Sequence, residues 1–197
     1  LAVILEEESP ACEDDTLQIH LSALIPPGTV IMNEIMAAPR EGPEWIELMN
    51  TGTAPVSILG WKVCDSRRVN SEGAQSNAFI PPGGYAIISA GELLPSLPGD
   101  APQISIKGFP ALNNDGDLAC LIDYSDSPAD SAVFTSTVTG YSLELISPRL
   151  RGSAGAWDLC TAAAGSTPGA RNSIFFSHAG VDGTPAGAPG LIITPNP

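Results

Sequence analysis

Apolar and polar positions alternate over short runs along this chain, and Gly, Pro, Asn and Asp separate one run from the next. In "EWIELMN", Glu44, Ile46 and Leu48 point one way and Trp45, Glu47 and Met49 the other, as on a strand. The same reading predicts strands at Leu17–Leu21, Val30–Ile35, Trp45–Met49, Trp61–Cys64, Tyr85–Ser89, Leu118–Ile122, Ser131–Phe134 and Ser142–Ile146. Turn signals lie between them: "NTGTAP", "PPGG", "NNDGD" and "SDSPAD". No amphipathic helix stands out. "GELLPSLP" has room for a helical turn, which its two prolines limit. Many short strands with Gly/Pro turns predict an all-β, antiparallel sandwich or barrel.

Composition narrows the function classes. The 197 residues are 43% hydrophobic, enough for one substantial core. No apolar run approaches the ~18 residues of a membrane-spanning helix, so no membrane insertion is expected. Leu1–Leu5 lacks the basic flank and cleavage site of a secretory leader, and the missing initiating Met suggests a processed chain or an excised piece. A net charge of −14 repels polyanions and makes nucleic acid an improbable partner. Glu6, Glu7, Glu8, Glu13, Asp14 and Asp15 crowd the first thirty residues, which hold no Lys or Arg, and read as a solvated linker or strand edge.

Cys12, Cys64, Cys120 and Cys160 form an even set without a CxxC pair or a His at metal-ligand spacing, which disfavours zinc. Two disulfides in an extracellular chain fit this usage, against buried free thiols as the alternative. Four cysteines allow three connectivities; the flanking positions of Cys12 and Cys160 lean toward a bridge that ties down the ends.

Three groups of residues invite a chemical reading. Glu34, Glu44 and Glu47 sit near an aromatic ring, as in a carboxylate hydrolase. Alternation sends Glu44 and Glu47 to opposite sides of a sheet, however, and Glu34 can join one of them only through tertiary pairing. The expectation is that these are strand carboxylates exposed or hydrogen-bonded to turns. Asp115, Asp117 and Asp123, with Asp126 and Asp130 beyond, offer oxygen ligands of the kind calcium takes; without EF-hand spacing, turn formation is the preferred reading. His20 and His178 accompany no GxSxG elbow, so no catalytic residue, metal or cofactor is assigned.

The ordered series "NEIM…P", "EWIELMNTGTAPVSILGWKVCDS", "FIPPGGYAIISA", "LNNDGDLACLID", "DSAVF", "YSLELISP" and "W…GSTPGARN" resembles the lamin tail domain in its bacterial secreted form, over about Thr29 to Asn172. The resemblance implies an immunoglobulin-like β-sandwich. It also implies a non-catalytic module of secreted or surface proteins, often found beside nucleases, phosphoesterases or other hydrolases; in nuclear lamins the domain serves interactions. Asn33, Glu34, Glu44, Trp45, Glu47 and Asn50 fall on its motifs, as do Gly60, Trp61, Pro168 and Gly169, and all are expected to be fold determinants. Arg171 stands where relatives often have Pro. Gly52 is expected at positive φ in a tight turn, "NNDGD" is expected to be a hairpin-type connection, and Trp61 and Val63 are expected to point into the core.

The domain organisation follows. Residues 1–28 read as strands or linker from a preceding module, 29–173 as the sandwich, and 174–197 as a Gly/Ala/Pro-rich linker opening a further module. "LIITPNP" resembles the first strand of a type IX secretion sorting domain. The function expected is interaction or scaffolding outside the cell or at its surface. Partners would be a neighbouring domain of the same polypeptide, an extracellular protein or a surface component. The alternative is a building block of a surface layer or fibre assembled by strand pairing.

Overall fold

A computed structural model describes residues 25–67, 70–76, 78–91, 101–153 and 155–175. Eleven strands run in the order β1 (Val30–Met36), β2 (Trp45–Asn50), β3 (Val56–Ser57), β4 (Lys62–Cys64), β5 (Phe79–Ile80), β6 (Tyr85–Ser89), β7 (Gln103–Ser105), β8 (Asp117–Ile122), β9 (Pro128–Phe134), β10 (Leu143–Leu145) and β11 (Trp157–Leu159). A single 3-10 turn, Pro148–Leu150, lies between the last two. The large sheet has the order β11-β10-β1-β2-β6-β7; β4-β8-β9 forms a second sheet and β3-β5 a two-stranded ribbon.

One apolar cluster joins the layers. Met32, Ile35, Ile46, Leu48, Ala86, Ile88 and Leu143 of the large sheet meet Val63, Ala119, Leu121, Ala132 and Phe134 of the second, with Trp61 among them. This is an all-β sandwich, one of the two architectures that the alternating pattern predicts, and it is immunoglobulin-like, as the family resemblance implies. Its pairs are antiparallel except β6–β7, which is parallel.

Seven predicted strands appear with small shifts at their ends, and Leu17–Leu21 lies outside the described residues, as do all but the first residue of "GELLPSLP". The strands that the pattern did not show, β3, β5, β7 and β11, span two or three residues each, too few for a period of two to be visible. Residues before Thr29 also belong to the packed domain: Ile25 packs against the core, and Gly28 N–H donates to the Ala129 carbonyl at 3.2 Å.

Two turn assignments need correction. Gly52 is not among the positive-φ glycines. It is required by close approach, because a Cβ there would lie 2.8 Å from Thr29 Cγ2, and its N–H donates to Asn50 Oδ1 at 2.9 Å. Positive φ falls instead at Gly60 (+79°), just before buried Trp61, where a Cβ would also press on Tyr124 at 3.3 Å. "NNDGD" does not close a hairpin of paired strands; it carries the chain from β7 in one sheet to β8 in the other.

All seven residues of β1 are buried, although alternation on a two-layer sandwich would leave every second one wet. The outer face of β1 is covered as well, and what covers it defines the most chemically loaded part of the molecule.

Candidate functional site

Met32 and Ile35 both belong to the inner core, three residues apart, which strict alternation forbids. A register shift between Met32 and Glu34 absorbs the extra residue. This bulge turns both Asn33 and Glu34 toward the outer face. There Glu34 lies directly opposite Glu144 on β10 and Glu47 on β2. Three glutamates thus stand in a row across three adjacent strands, each with 0% exposure.

The turn around Thr167–Asn172 lies over this row and supplies its donors. Glu34 accepts the Thr167 N–H at 2.8 Å and the Ser142 hydroxyl at 2.5 Å. Glu47 accepts the Gly169 N–H on one oxygen and the Asn33 amide at 2.8 Å on the other. Glu144 accepts the hydroxyls of Thr167 at 2.7 Å and Ser173 at 2.8 Å, and the Ile174 N–H at 3.1 Å. Asn172, itself buried, donates to the carbonyls of Asn33 and Leu145, both at 2.9 Å, and accepts from the Asn33 amide at 2.8 Å. A carboxylate receives N–H and O–H groups at each place where the segment could lift, so the row works as a clasp.

Electrostatics divides the three. Burial pushes Glu47 up to about 8, helped by the charge of Glu34 and opposed by the Gly169 and Asn33 bonds. Burial likewise pushes Glu34 up to about 7, against the bonds from Ser142 and Thr167. For Glu144, burial also acts upward, yet the donors Thr167, Cys160 and Ser173 outweigh it and hold the group below its usual value. Burial and mutual repulsion therefore favour the protonated form at Glu47 and Glu34, while the donors around Glu144 favour its charged form.

Glu44 stands apart. It accepts the Leu112 N–H at 3.1 Å, on the other side of β2 from Glu47, as alternation predicts. Its pKa is raised, chiefly by burial. Glu34 does join Glu47 by strand pairing, but both are sealed under the C-terminal turn and every oxygen of Glu47 has a donor. A hydrolase cleft would need solvent access between the two carboxylates. Glu34, Glu144 and Cys160 also offer ligand atoms within 4.8 Å of one another. Those atoms already face N–H and O–H donors, Cys160 Sγ included (Ala162 N–H at 3.4 Å), which is the surrounding of a hydrogen-bonded clasp and not of a cation.

The remaining motif residues also serve the fold. Asn50 donates to the carbonyls of Ala54 and Ile80, both at 2.8 Å, pinning the "NTGTAP" turn. Trp45 packs with Met36 and Ile87, and Pro168 closes over the shallow hollow beside it. Cys64 and Cys120, direct partners across β4 and β8, form a disulfide with Cα atoms 5.0 Å apart. Cys160 is a buried free thiol, and the expected Cys12–Cys160 bridge involves a residue outside those described.

A sequence model of one family, Lamin Tail Domain, matches residues 25–136, more than half of the chain. The chain belongs to the lamin tail domain family. No curated protein matches it. The family is a non-catalytic, immunoglobulin-like one, in agreement with the sandwich. The matched range ends at Ser136, before β10, β11 and the clasp turn, so in this lamin tail domain Glu34 and Glu47 lie inside the match and Glu144, Thr167 and Asn172 beyond it.

The aspartates fall at separate places. Asp117 opens β8 and accepts from Asn113 N–H at 3.0 Å and Leu118 N–H at 2.8 Å; these bonds and those from Ser66 outweigh burial and lower its pKa. Asp123 caps the turn at the far end of β8 through Ser125 N–H at 2.8 Å and Ser127 N–H at 3.0 Å, about 17–20 Å away by strand rise. Asp115 sits in the "NNDGD" connection, Asp126 pairs with Lys62 at 2.5 Å, and Asp130 with Arg151 at 3.1 Å. His20 and His178 lie outside the described residues.

Sequence reading missed Ser142, Glu144, Thr167 and Asn172 as partners of the glutamates. Glu144 did carry a signal, an acid between Leu143 and Leu145 in a predicted strand. A lone carboxylate there marks an outer face that something must cover.

Proposed function

We propose that this lamin tail domain is a non-catalytic interaction and scaffolding module of a secreted or surface-attached bacterial protein. It holds a neighbouring domain of the same polypeptide or engages an extracellular protein or surface component. The observation that carries this reading is the consumption of the buried carboxylates in the clasp. The residues with the most reactive environment, Glu34 and Glu47, are spent on fastening residues 167–172 to the sheet. The Cys64–Cys120 disulfide supports an oxidising compartment. The net charge of −14 supports a partner other than nucleic acid. "LIITPNP", outside the described residues, fits the start of a sorting domain that would take the parent protein through type IX secretion to the surface.

The test is protease shaving of intact source cells, with thiol alkylation and peptide mass spectrometry. Release of peptides from this domain into the medium, with Cys64 and Cys120 protected from alkylation, is the expected result. Recovery only from lysed cells, with both thiols alkylated, overturns the reading. A second reading, a fibre built by strand pairing, draws on β9, whose outer side pairs with no strand among the described residues.

A further inference from the structure

Met49 on β2 and Tyr85 on β6 are direct partners across the large sheet, on the same outer face as Glu47. With Arg171 and Phe175 from the end of the clasp segment they wall a hollow of about 420 Å3, floored by Asn33 and Asn172. Both asparagines are buried, and their amides are engaged with each other, with Glu47 and with backbone carbonyls. Polar recognition in the hollow is left to the Arg171 guanidinium and the Tyr85 hydroxyl. Neither makes a hydrogen bond to another of the described residues.

Charge complementarity points to the ligand. The chain has 22 acids against eight Lys and Arg, and Lys62, Arg67, Lys107 and Arg151 each pair with an Asp or Glu. Arg40 has Glu41 beside it in its own hollow, and Arg149 stands exposed on the 3-10 turn. No acid lines the hollow of Arg171, which pairs with none among the described residues. Its guanidinium stacks 4.0 Å over the Phe175 ring, and face stacking leaves the in-plane N–H fork for a carboxylate. Met49, Tyr85 and Phe175 suit an apolar body beside that carboxylate. The net charge of −14 opposes a ligand with many negative charges, and one guanidinium matches one carboxylate.

We infer that this hollow takes the C-terminal end of a partner polypeptide, with its carboxylate on Arg171 and an apolar last side chain against Met49, Tyr85 and Phe175. A chain terminus meets both demands with one residue, because the carboxylate and the side chain share a Cα. An internal Asp or Glu spends its side chain on the charge and has none left for the walls. The inference rests on the interaction reading proposed above, to which it adds a face and a partner chemistry.

Nuclear magnetic resonance titration of the purified full chain tests it, in whichever compartment the protein resides. The probe is an N-acetylated tetrapeptide, three alanines followed by phenylalanine, with a free C terminus. One control is its C-terminal amide, and a second is an amidated peptide with an aspartate in place of the middle alanine. The free acid should shift the Arg171 Nε–H and the Tyr85 and Phe175 ring signals saturably, with a Kd of about 0.1–1 mM for so small a contact. Amidation and Arg171→Gln should each weaken binding about 10-fold, because either removes the charge-assisted pair. Phe175→Ala keeps the charge and removes a wall, and should weaken binding about 3-fold. Unchanged β1 and β2 amide signals show the sandwich intact in both variants. Absence of a saturable shift at these residues overturns the inference, as does equal binding by the free acid and its amide or by the parent and Arg171→Gln. Equal binding by the amidated aspartate peptide also overturns it, and assigns the hollow to acidic side chains. Each of these results leaves the broader interaction reading to its own protease-shaving test.

Discussion

Glu34 and Glu47 face each other directly across the β1–β2 pair, each fully buried and each bonded to the backbone of the same C-terminal turn, through Thr167 and Gly169. Two like charges so placed cannot both ionise cheaply, which makes the turn's attachment a function of pH.

Stability should therefore fall as the solution becomes alkaline. Both groups have folded-state pKa values above the ordinary 4.5, at about 7 and about 8, so the folded chain binds more protons than the unfolded one across this interval. Their contribution is fully present below pH 4.5 and is lost as pH rises through 7 to 8. Asp117 and Glu144, held low, act oppositely and lose their contribution as pH falls through the acid range. Calorimetry should place the highest Tm near about pH 5–6, with a decline by about pH 8.5. Glu47→Gln should lower Tm at pH 6, because one amide N–H2 must face the Gly169 N–H or the Asn33 amide, and should flatten the alkaline decline. A Tm that rises steadily from pH 6 to 8.5 would contradict the clasp.

Asn172 locks the same turn by a different chemistry. Its amide donates to two buried carbonyls, Asn33 and Leu145. Asn172→Ala leaves both without this donor and should cost about 2–4 kcal/mol in urea unfolding. Asn172→Asp should cost more, since a carboxylate oxygen would then face carbonyl oxygens close to Glu47. Equal stability of Asn172→Ala and the parent would make the turn a passive cover.

The Cys64–Cys120 bridge closes a loop across 56 residues between partners on β4 and β8. In the chain-entropy account a loop of that length is worth about 4 kcal/mol, carried by the unfolded state. The double change Cys64→Ser/Cys120→Ser should lower the unfolding free energy by that order, and reductant should lower the parent to the same level and leave the variant unmoved. A parent indifferent to reductant would mean that the bridge is not formed.

How much of this was legible beforehand depends on the range of the interaction. Alternation in "EWIELMN" set β2, its inward Ile46 and Leu48, and the separation of Glu44 from Glu47, because the signal is local. The clasp was not legible, since Glu34 reaches Thr167 across 133 residues and the bulge after Met32 breaks the period that would have pointed to it. Gly52 shows the limit of turn rules: composition marked the turn correctly, while the reason for glycine was Thr29 from a neighbouring segment. The burial of Trp61 was readable from its place beside a strand; the environment of its indole nitrogen was not.

That nitrogen gives the last prediction. Trp61 is fully buried in the main core, and its Nε1–H finds no acceptor among the described residues. An unsatisfied buried donor costs about 1–3 kcal/mol, which offsets part of what the indole gains by leaving water. Trp61→Phe removes the orphan donor together with some packing, and the two effects oppose each other. Trp61→Ala removes the donor too, but it loses far more packing and leaves a cavity, so it should cost about 3–5 kcal/mol. The Phe variant should therefore unfold within about 1–2 kcal/mol of the parent in a denaturant titration. A Phe variant as damaged as the Ala variant would show that the indole N–H has a partner after all, and that Trp61 is kept for a hydrogen bond as well as for its volume.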